Sequence, residues 1–210
     1  MKKRFISGLL LAAGTASRFG RLKQVEELGG APLVARAAAA IAESGVDELV
    51  VVLGFRAGEV LRQLGRKDFR VVVNPLFESG LSTSLRMGIQ ALDSRSEAAL
   101  VCLADQPFVT ADLLESMIRR FVHSRARVVA ASSGDVVSPP MLLSRSLFER
   151  VLRLEGDKGA KSLAVSEPTL QRVEVEPAVL IDIDTEASLA RARGLLRAKR
   201  RQSEERPGST

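Results

Sequence analysis

Tryptophan and tyrosine are absent from this chain of 210 residues, so eight phenylalanines are its whole aromatic complement. The interleaved aromatics on which nucleic-acid bases stack are therefore lacking, and no nucleic-acid partner is expected. A single cysteine, Cys102, excludes an internal disulfide and a cysteine-clustered zinc centre, and a single histidine, His123, excludes a histidine-rich metal site. Any metal used here has to be a hard cation held by carboxylates and phosphate. Long hydrophobic runs are missing too: none approaches the ~20 apolar residues that span a bilayer. No membrane partner is expected, and a cytoplasmic location is.

Apolar residues still make up 46% of the chain, enough for one domain whose core rests on Leu, Val, Ile, Ala and Phe. The net charge of +6 is concentrated at one end. Residues 191–210 hold seven basic groups (Arg191, Arg193, Arg197, Lys199, Arg200, Arg201, Arg206) against Glu204 and Glu205, whereas the remaining chain holds 24 basic and 23 acidic groups. Residues 1–197 are expected to form the domain and 198–210 a basic, flexible tail, a solvated helix end rather than a nucleic-acid arm.

Short β-branched or apolar runs alternate with helical patterns, which argues for parallel strands covered by helices on both faces. Strands are expected at Phe5–Ala12, Glu48–Leu53, Phe69–Val73, Ala98–Leu103, Arg127–Ala131, Leu170–Val175 and Val179–Ile183. Helices are expected near Pro32–Ser44, Ala57–Leu64, Ser82–Leu92, Ala111–His123, Ser146–Leu154, Gly159–Val165 and Glu186–Lys199. Pro32 suits a first helical turn, and Thr110 and Thr185 suit N-caps.

The most informative stretch is Leu9 to Lys23, an apolar strand that runs into a loop bearing Gly14, Gly20, Arg18 and Lys23. Glycines let backbone N–H groups approach phosphate oxygens, and the basic side chains neutralise them. The same residues also resemble a secretory signal, with Met1–Arg4 as a basic start, Phe5–Ala13 as an apolar core and Ala13–Ser17 as a cleavage site. A buried first strand explains the apolar run equally well and keeps the charged loop. The loop is not a P-loop, since Gly14 and Gly20 have five residues between them and Lys23 comes three later. Nor does it carry the three-glycine dinucleotide fingerprint of nicotinamide oxidoreductases.

Open α/β sheets gather their chemistry at the carboxyl ends of strands. Asp105, directly after an apolar strand and before Gln106-Pro107, is placed to hold Mg²⁺ against a phosphate, or else to cap the helix near Thr110. Asp184 offers a second carboxylate, with Asp182 two residues earlier on the same strand face, or caps the helix at Glu186. Two acids together with a cationic loop favour the metal reading.

In order along the chain stand Leu11-Ala12-Ala13-Gly14, Ser17-Arg18, Gly20, Lys23, Gly29-Gly30-x-Pro32-Leu33, Asn74-Pro75, Gly80-x-Ser82-x-Ser84-Leu85, Ala104-Asp105-Gln106-Pro107, Gly156-Asp157-Lys158-Gly159-Ala160 and Asp182-Ile183-Asp184-Thr185. This series resembles the MobA-like nucleotidyltransferases, and within them the branch of the molybdenum cofactor cytidylyltransferases, over about residues 5–195. The resemblance implies a Rossmann-like three-layer α/β/α sandwich with a mixed, mainly parallel sheet, like the nucleotide-diphospho-sugar transferases. It also implies Mg²⁺-dependent transfer of a nucleoside monophosphate, CMP from CTP, to a phosphate monoester such as molybdopterin. Leu11, Ala12, Ala13 and Gly14 would wrap base and ribose, while Ser17, Arg18, Gly20 and Lys23 would line the triphosphate. Asn74, Gly80, Ser82 and Ser84 would recognise the nucleoside; Asp105 and Asp184 would hold the metal. Arg18, Lys23 and Asp105 are the expected catalytic residues.

One element departs from that pattern. Where relatives carry a Gly-His-Pro-like element facing the acceptor, this chain has Gly134-Asp135-Val136-Val137-Ser138-Pro139-Pro140-Met141. Pro139, Pro140, Asp157 and Lys158 are candidates for the acceptor side, although Gly156 and Gly159 serve equally to bracket a helix start. A sugar phosphate is the alternative acceptor. A non-catalytic accessory protein docking to a molybdenum hydroxylase through its basic tail is the alternative from another class.

Overall fold

The computed structural model describes residues 4–15, 19–65 and 68–204. In chain order the elements are β1 (Ile6–Ala12), β2 (Glu27–Leu28), β3 (Ala31–Pro32), α1 (Leu33–Ala42), β4 (Glu48–Leu53), α2 (Ala57–Leu64), β5 (Arg70–Val73), α3 (Leu81–Ala91), β6 (Ala98–Leu103), α4 (Ala111–His123), β7 (Val128–Ser133), β8 (Val136–Ser144), α5 (Phe148–Leu152), α6 (Ala160–Val165), β9 (Leu170–Glu174) and α7 (Glu186–Glu204). A seven-stranded sheet runs β5-β4-β1-β6-β8-β7-β9, and β2 and β3 form a separate small hairpin. Pairing is parallel except on both sides of β8, so β8 alone runs against the others.

The apolar run that resembles a signal core forms β1, a central strand buried along its whole length. Its alternating side chains feed two cores. Ile6, Leu10 and Ala12 join Val34 and Ile41 of α1 and Leu114, Met117 and Phe121 of α4. Leu9, Leu11 and Ala13 join Leu85 of α3, Val151 of α5 and Leu163 of α6 on the other face. Three layers result, helices above and below the sheet.

Local signals set the helix starts. Thr110 Oγ1 accepts from Leu113 N at 3.3 Å to open α4, whose first turn carries Asp112 and last turn Arg120 and His123, complementing the helix dipole. Thr185 Oγ1 accepts from Ser188 N at 3.1 Å ahead of α7. Pro32 ends β3 and caps α1 from outside, one residue before the first turn. The last helix runs on to Glu204, past residue 197, and residues 205–210 lie outside the described residues.

Two segments depart from the sequence expectation. Val179–Ile183 is not a strand: Pro177, lacking an N–H, opens a 3-10 turn over Pro177–Leu180, and the chain beyond it stays irregular. The Ile183 N–H donates to the Asp105 carbonyl at 2.9 Å instead of joining a ladder, and its side chain enters a third cluster with Phe19, Leu28, Leu33, Phe108, Leu189 and Ala192. Conversely, the stretch from Val136 is a strand despite its two prolines. Ala130 pairs with Met141 and Ala131 with Ser138, so Pro139 and Pro140 are the residues bulged out of register, where no N–H is required.

Candidate active site

The carboxyl ends of β1 and β6 open into a cleft of about 390 Å³. One wall is the turn Leu11 to Thr15 with Lys23 and Gln24; the floor is Leu103, Ala104 and Asp105; the far wall is Phe77, Glu78, Gly80, Leu81, Ser84 and Asp157. Lys23 opens a 3-10 turn, Lys23–Val25, anchored by the buried side chains of Leu22 and Gln24 on either side of it. From there its Nζ donates at 2.6 Å to Asp105 Oδ2 and at 2.6 Å to Asp184 Oδ1. Residues 82 and 161 positions away along the chain thus meet one nitrogen.

Burial is the largest influence on Lys23 and pushes its pKa down, but the Asp105 charge and the hydrogen bonds to Asp105 and Asp184 outweigh it. The ammonium therefore stays charged, with a pKa above its ordinary 10.5. Asp105 is mostly covered and its Oδ1 is buried without a hydrogen-bond partner, whereas Asp184 is more open. Asp182 stands beside them. It is exposed as a residue, yet crowding of its carboxyl pushes its pKa up to about 6, burial first and the charges of Asp105 and Asp184 after it, against a hydrogen bond from Gln106. That bond runs from Gln106 Nε2 to Asp182 Oδ1 at 3.0 Å, and the same nitrogen lies 3.3 Å from Ser138 Oγ.

The far wall depends on glycine. Gly80 has φ +102°, and a Cβ there would lie 2.4 Å from the carbonyl carbon and oxygen of Gly156. Backbone contact at this point brings the loop carrying Asp157 against the start of α3, where Ser82 N donates to Gly156 O at 3.0 Å. Gly54, at the end of β4, does the same for the opposite corner: its missing Cβ would stand 2.8 Å from the Ala13 Cβ and 2.7 Å from the Phe77 Cβ.

Of the residues singled out in the sequence, Leu11, Ala12, Ala13, Gly14, Lys23, Gly80, Ser84, Asp105 and Asp157 line the cleft, and Asp184 joins through Lys23. Asn74 does not line it: it is buried, its Nδ2 donates to Thr83 Oγ1 at 2.8 Å and Ser84 Oγ at 2.9 Å, and its Oδ1 accepts from Leu76 N at 2.9 Å. It holds Ser84 from behind. Ser82 is fully buried, and Gly20, Pro139, Pro140 and Lys158 lie off the cleft lining. Ser138, next to the prolines, touches Gln106, so that element does approach the strand end bearing Asp105. Ser17 and Arg18 lie outside the described residues. Glu78 stands among the polar residues that follow the third expected strand, whereas Gln24, Gly54 and Phe77 were not anticipated from the sequence. Gly54 directly follows β4, so the rule used for Asp105 pointed to it; Gln24, in the 3-10 turn after the loop, carries no such signal.

Residues 8–173 match the MobA-like NTP transferase domain. The chain belongs to this family. It is 30% identical over 174 residues to nicotine blue oxidoreductase of Paenarthrobacter nicotinovorans, covering 79% of this chain and 84% of that protein. The crystal structure of Rv0371c from Mycobacterium tuberculosis H37Rv superposes with a TM-score of 0.83 at 28% identity, over 92% of this chain and 100% of that one. A nucleotidyl transferase from Methanothermobacter thermautotroptrophicus gives a TM-score of 0.81 at 27% identity, over 93% and 100%. The mixed, mainly parallel sheet is thus the Rossmann-like fold of the nucleotide-diphospho-sugar transferases. The chain thus carries a MobA-like NTP transferase domain, and Asp184 lies beyond the matched residues.

Proposed function

We propose that this protein transfers CMP from CTP to the terminal phosphate of molybdopterin in the presence of Mg²⁺, releasing pyrophosphate. The observation that carries the reading is the charged pole of the cleft, Lys23 held between Asp105 and Asp184 beneath the β1 turn. In this reaction an oxygen of the acceptor phosphate bonds to the α-phosphorus of CTP, and the bond from that phosphorus to the β-phosphate bridging oxygen breaks. The acceptor is already an anionic nucleophile, so no protein base is needed; the obstacle is the meeting of two anions. Lys23, kept charged by its carboxylates, lies where the triphosphate enters from the β1 turn. Arg18 is proposed to share that charge, and Ser17 and Gly20 to line the same loop.

Asp105 and Asp184 are the residues that would hold Mg²⁺. The unpartnered Oδ1 of Asp105 fits that use, and among the described residues no third His, Cys, Asp or Glu joins them, so phosphate oxygens and water complete the set. The cation supplies charge neutralisation for the triphosphate and the departing pyrophosphate. Rv0371c has also been solved in complex with manganese, at 26% identity and a TM-score of 0.78.

Preference for a pyrimidine is argued from Ala13. Ala13 lines the cleft with its methyl seated against Gly54, and a side chain at this position leaves less space beside the β1 turn than glycine would, which favours cytosine over guanine by a modest factor. Ser84, held by Asn74, is the proposed nucleoside contact on the far wall, and Asp157 the proposed acceptor-side residue, with Lys158, Pro139 and Pro140 farther along that side.

Incubating the protein with Mg²⁺, each of the common nucleoside triphosphates, and molybdopterin or a sugar 1-phosphate tests the reading through pyrophosphate release. CTP with molybdopterin should release most. Release with the sugar phosphate alone would select the alternative acceptor, and no release with any pair would favour the accessory role, with the basic end of α7 as its docking element for a molybdenum hydroxylase. A second reading, oxidoreduction, comes from the 30% identity to nicotine blue oxidoreductase of Paenarthrobacter nicotinovorans; turnover of nicotine blue by the protein would support it.

A further inference from the structure

Gln24 contributes to the cleft in a way that neither the charge arrangement nor the family motifs explain. It is 2% exposed, and its amide nitrogen donates to Gly14 O at 2.9 Å and Ala12 O at 3.4 Å. With the amide reversed, its oxygen would face two carbonyl oxygens, so the donor orientation is dictated by the neighbours. Both carbonyls belong to the β1 turn that forms the near wall. Contact is close throughout: a Cβ on Gly14 would stand 3.4 Å from the Gln24 nitrogen. Gln24 Oε1, meanwhile, is buried without a hydrogen-bond partner. A leucine or methionine would fill the same space without burying an orphan acceptor, so packing alone does not account for an amide here.

We propose that Gln24 is a positioning residue for the nucleotide: its amide spans the Ala12 and Gly14 carbonyls and fixes the curvature of the turn against which the nucleotide is bound. Lys23 and Gln24 then divide the work of one 3-10 turn. The lysine points to the charges at the floor, and the glutamine holds the wall from beneath. Fixing the turn lowers the ordering cost of binding, so the amide acts on nucleotide affinity more than on the rate of bond breaking. This inference rests on the nucleotidyl-transfer reading above.

The test is Gln24→Met, uncharged and close in length, compared with the parent by calorimetric titration of CTP, by steady-state kinetics and by thermal unfolding. Nucleotide Kd and KM should rise about tenfold, with kcat at saturating nucleotide and KM for the acceptor within about twofold of the parent. Gln24→Leu serves the same purpose if the methionine variant does not fold. Unchanged CTP affinity in the variant overturns the proposal, as does a fall in kcat and a rise in both KM values that track a loss of thermal stability. Failure of the parent to bind any nucleoside triphosphate overturns the functional reading itself, and is told apart because it precedes any comparison with the variant.

Discussion

Replacing Lys23 by methionine should move metal affinity and turnover in opposite directions. In the parent, Asp105 Oδ2 and Asp184 Oδ1 are each 2.6 Å from the same nitrogen. The two oxygens are therefore at most about 5 Å apart, and in a partly solvated site two charges at that separation repel by about 1.5 kcal/mol. Methionine fills the volume of the lysine stem but leaves that repulsion without a cation. A divalent ion no longer has to displace an ammonium, so its affinity should rise about tenfold. In the proposed reaction turnover would lose a charge facing the triphosphate; removal of one such donor costs about 3 kcal/mol, a drop in kcat of more than a hundredfold. Electron paramagnetic resonance titration of Mn²⁺ without nucleotide reads the first quantity, and pyrophosphate release with saturating CTP and acceptor reads the second. Weaker Mn²⁺ binding in the variant would refute the competition between lysine and metal. A kcat within threefold of the parent would refute the role of Lys23 in transfer.

Three other perturbations probe the scaffold. Gly80→Ala places a Cβ 2.4 Å from the Gly156 backbone at φ +102°, and should cost about 3 kcal/mol; for a chain of this size that lowers Tm by roughly 6–12 °C, measurable by differential scanning calorimetry. Asp182, with its pKa raised from 3.8 to about 6, binds its proton more tightly folded than unfolded, so its ionisation opposes folding as pH rises through that window. Asp182→Asn should therefore be more stable than the parent at pH 8 by about 1 kcal/mol, allowing for solvent screening, with the gain gone near pH 4 in metal-free urea titrations. Leu189→Ala, at a fully buried position of the third cluster, should cost about 3 kcal/mol, and hydrogen exchange should quicken in α7 and the β2–β3 hairpin before it does in the sheet.

Much of this architecture was legible because it follows from periodicity. Glu48–Leu53, Ala57–Leu64, Ala98–Leu103 and Ala111–His123 stand where apolar runs and capping residues put them. What escaped were segments governed by distant partners. Val179–Ile183 has the composition of a strand, but Pro177 turns it aside and Ile183 finds its apolar neighbours under α7. No strand is expected over Ser138-Pro139-Pro140 from the sequence, and the bulge opposite Ala130 and Ala131 is what reconciles these prolines with β8. Among the candidate site residues, Lys23, Asp105 and Asp184, which the structure brings together, were recognisable by charge and by their place at segment ends. Asn74 was recognisable as a residue but not in its orientation, since its saturation by Thr83, Ser84 and Leu76 depends on how α3 lies over β5.

The third apolar cluster has a wider consequence. Phe19, Phe108 and Ile183 each lie within three residues of Arg18, Asp105 or Asp184, and α7 closes over all three. The strands end at Glu174, so the sheet is complete before the chain supplies Asp184 or the helix that seats it. Sheet construction and charge balance are therefore carried by successive, separable lengths of chain. A change in α7 alone can retune the spacing of the carboxylates while leaving every strand pairing untouched, giving this scaffold a place to vary its chemistry without rebuilding its frame.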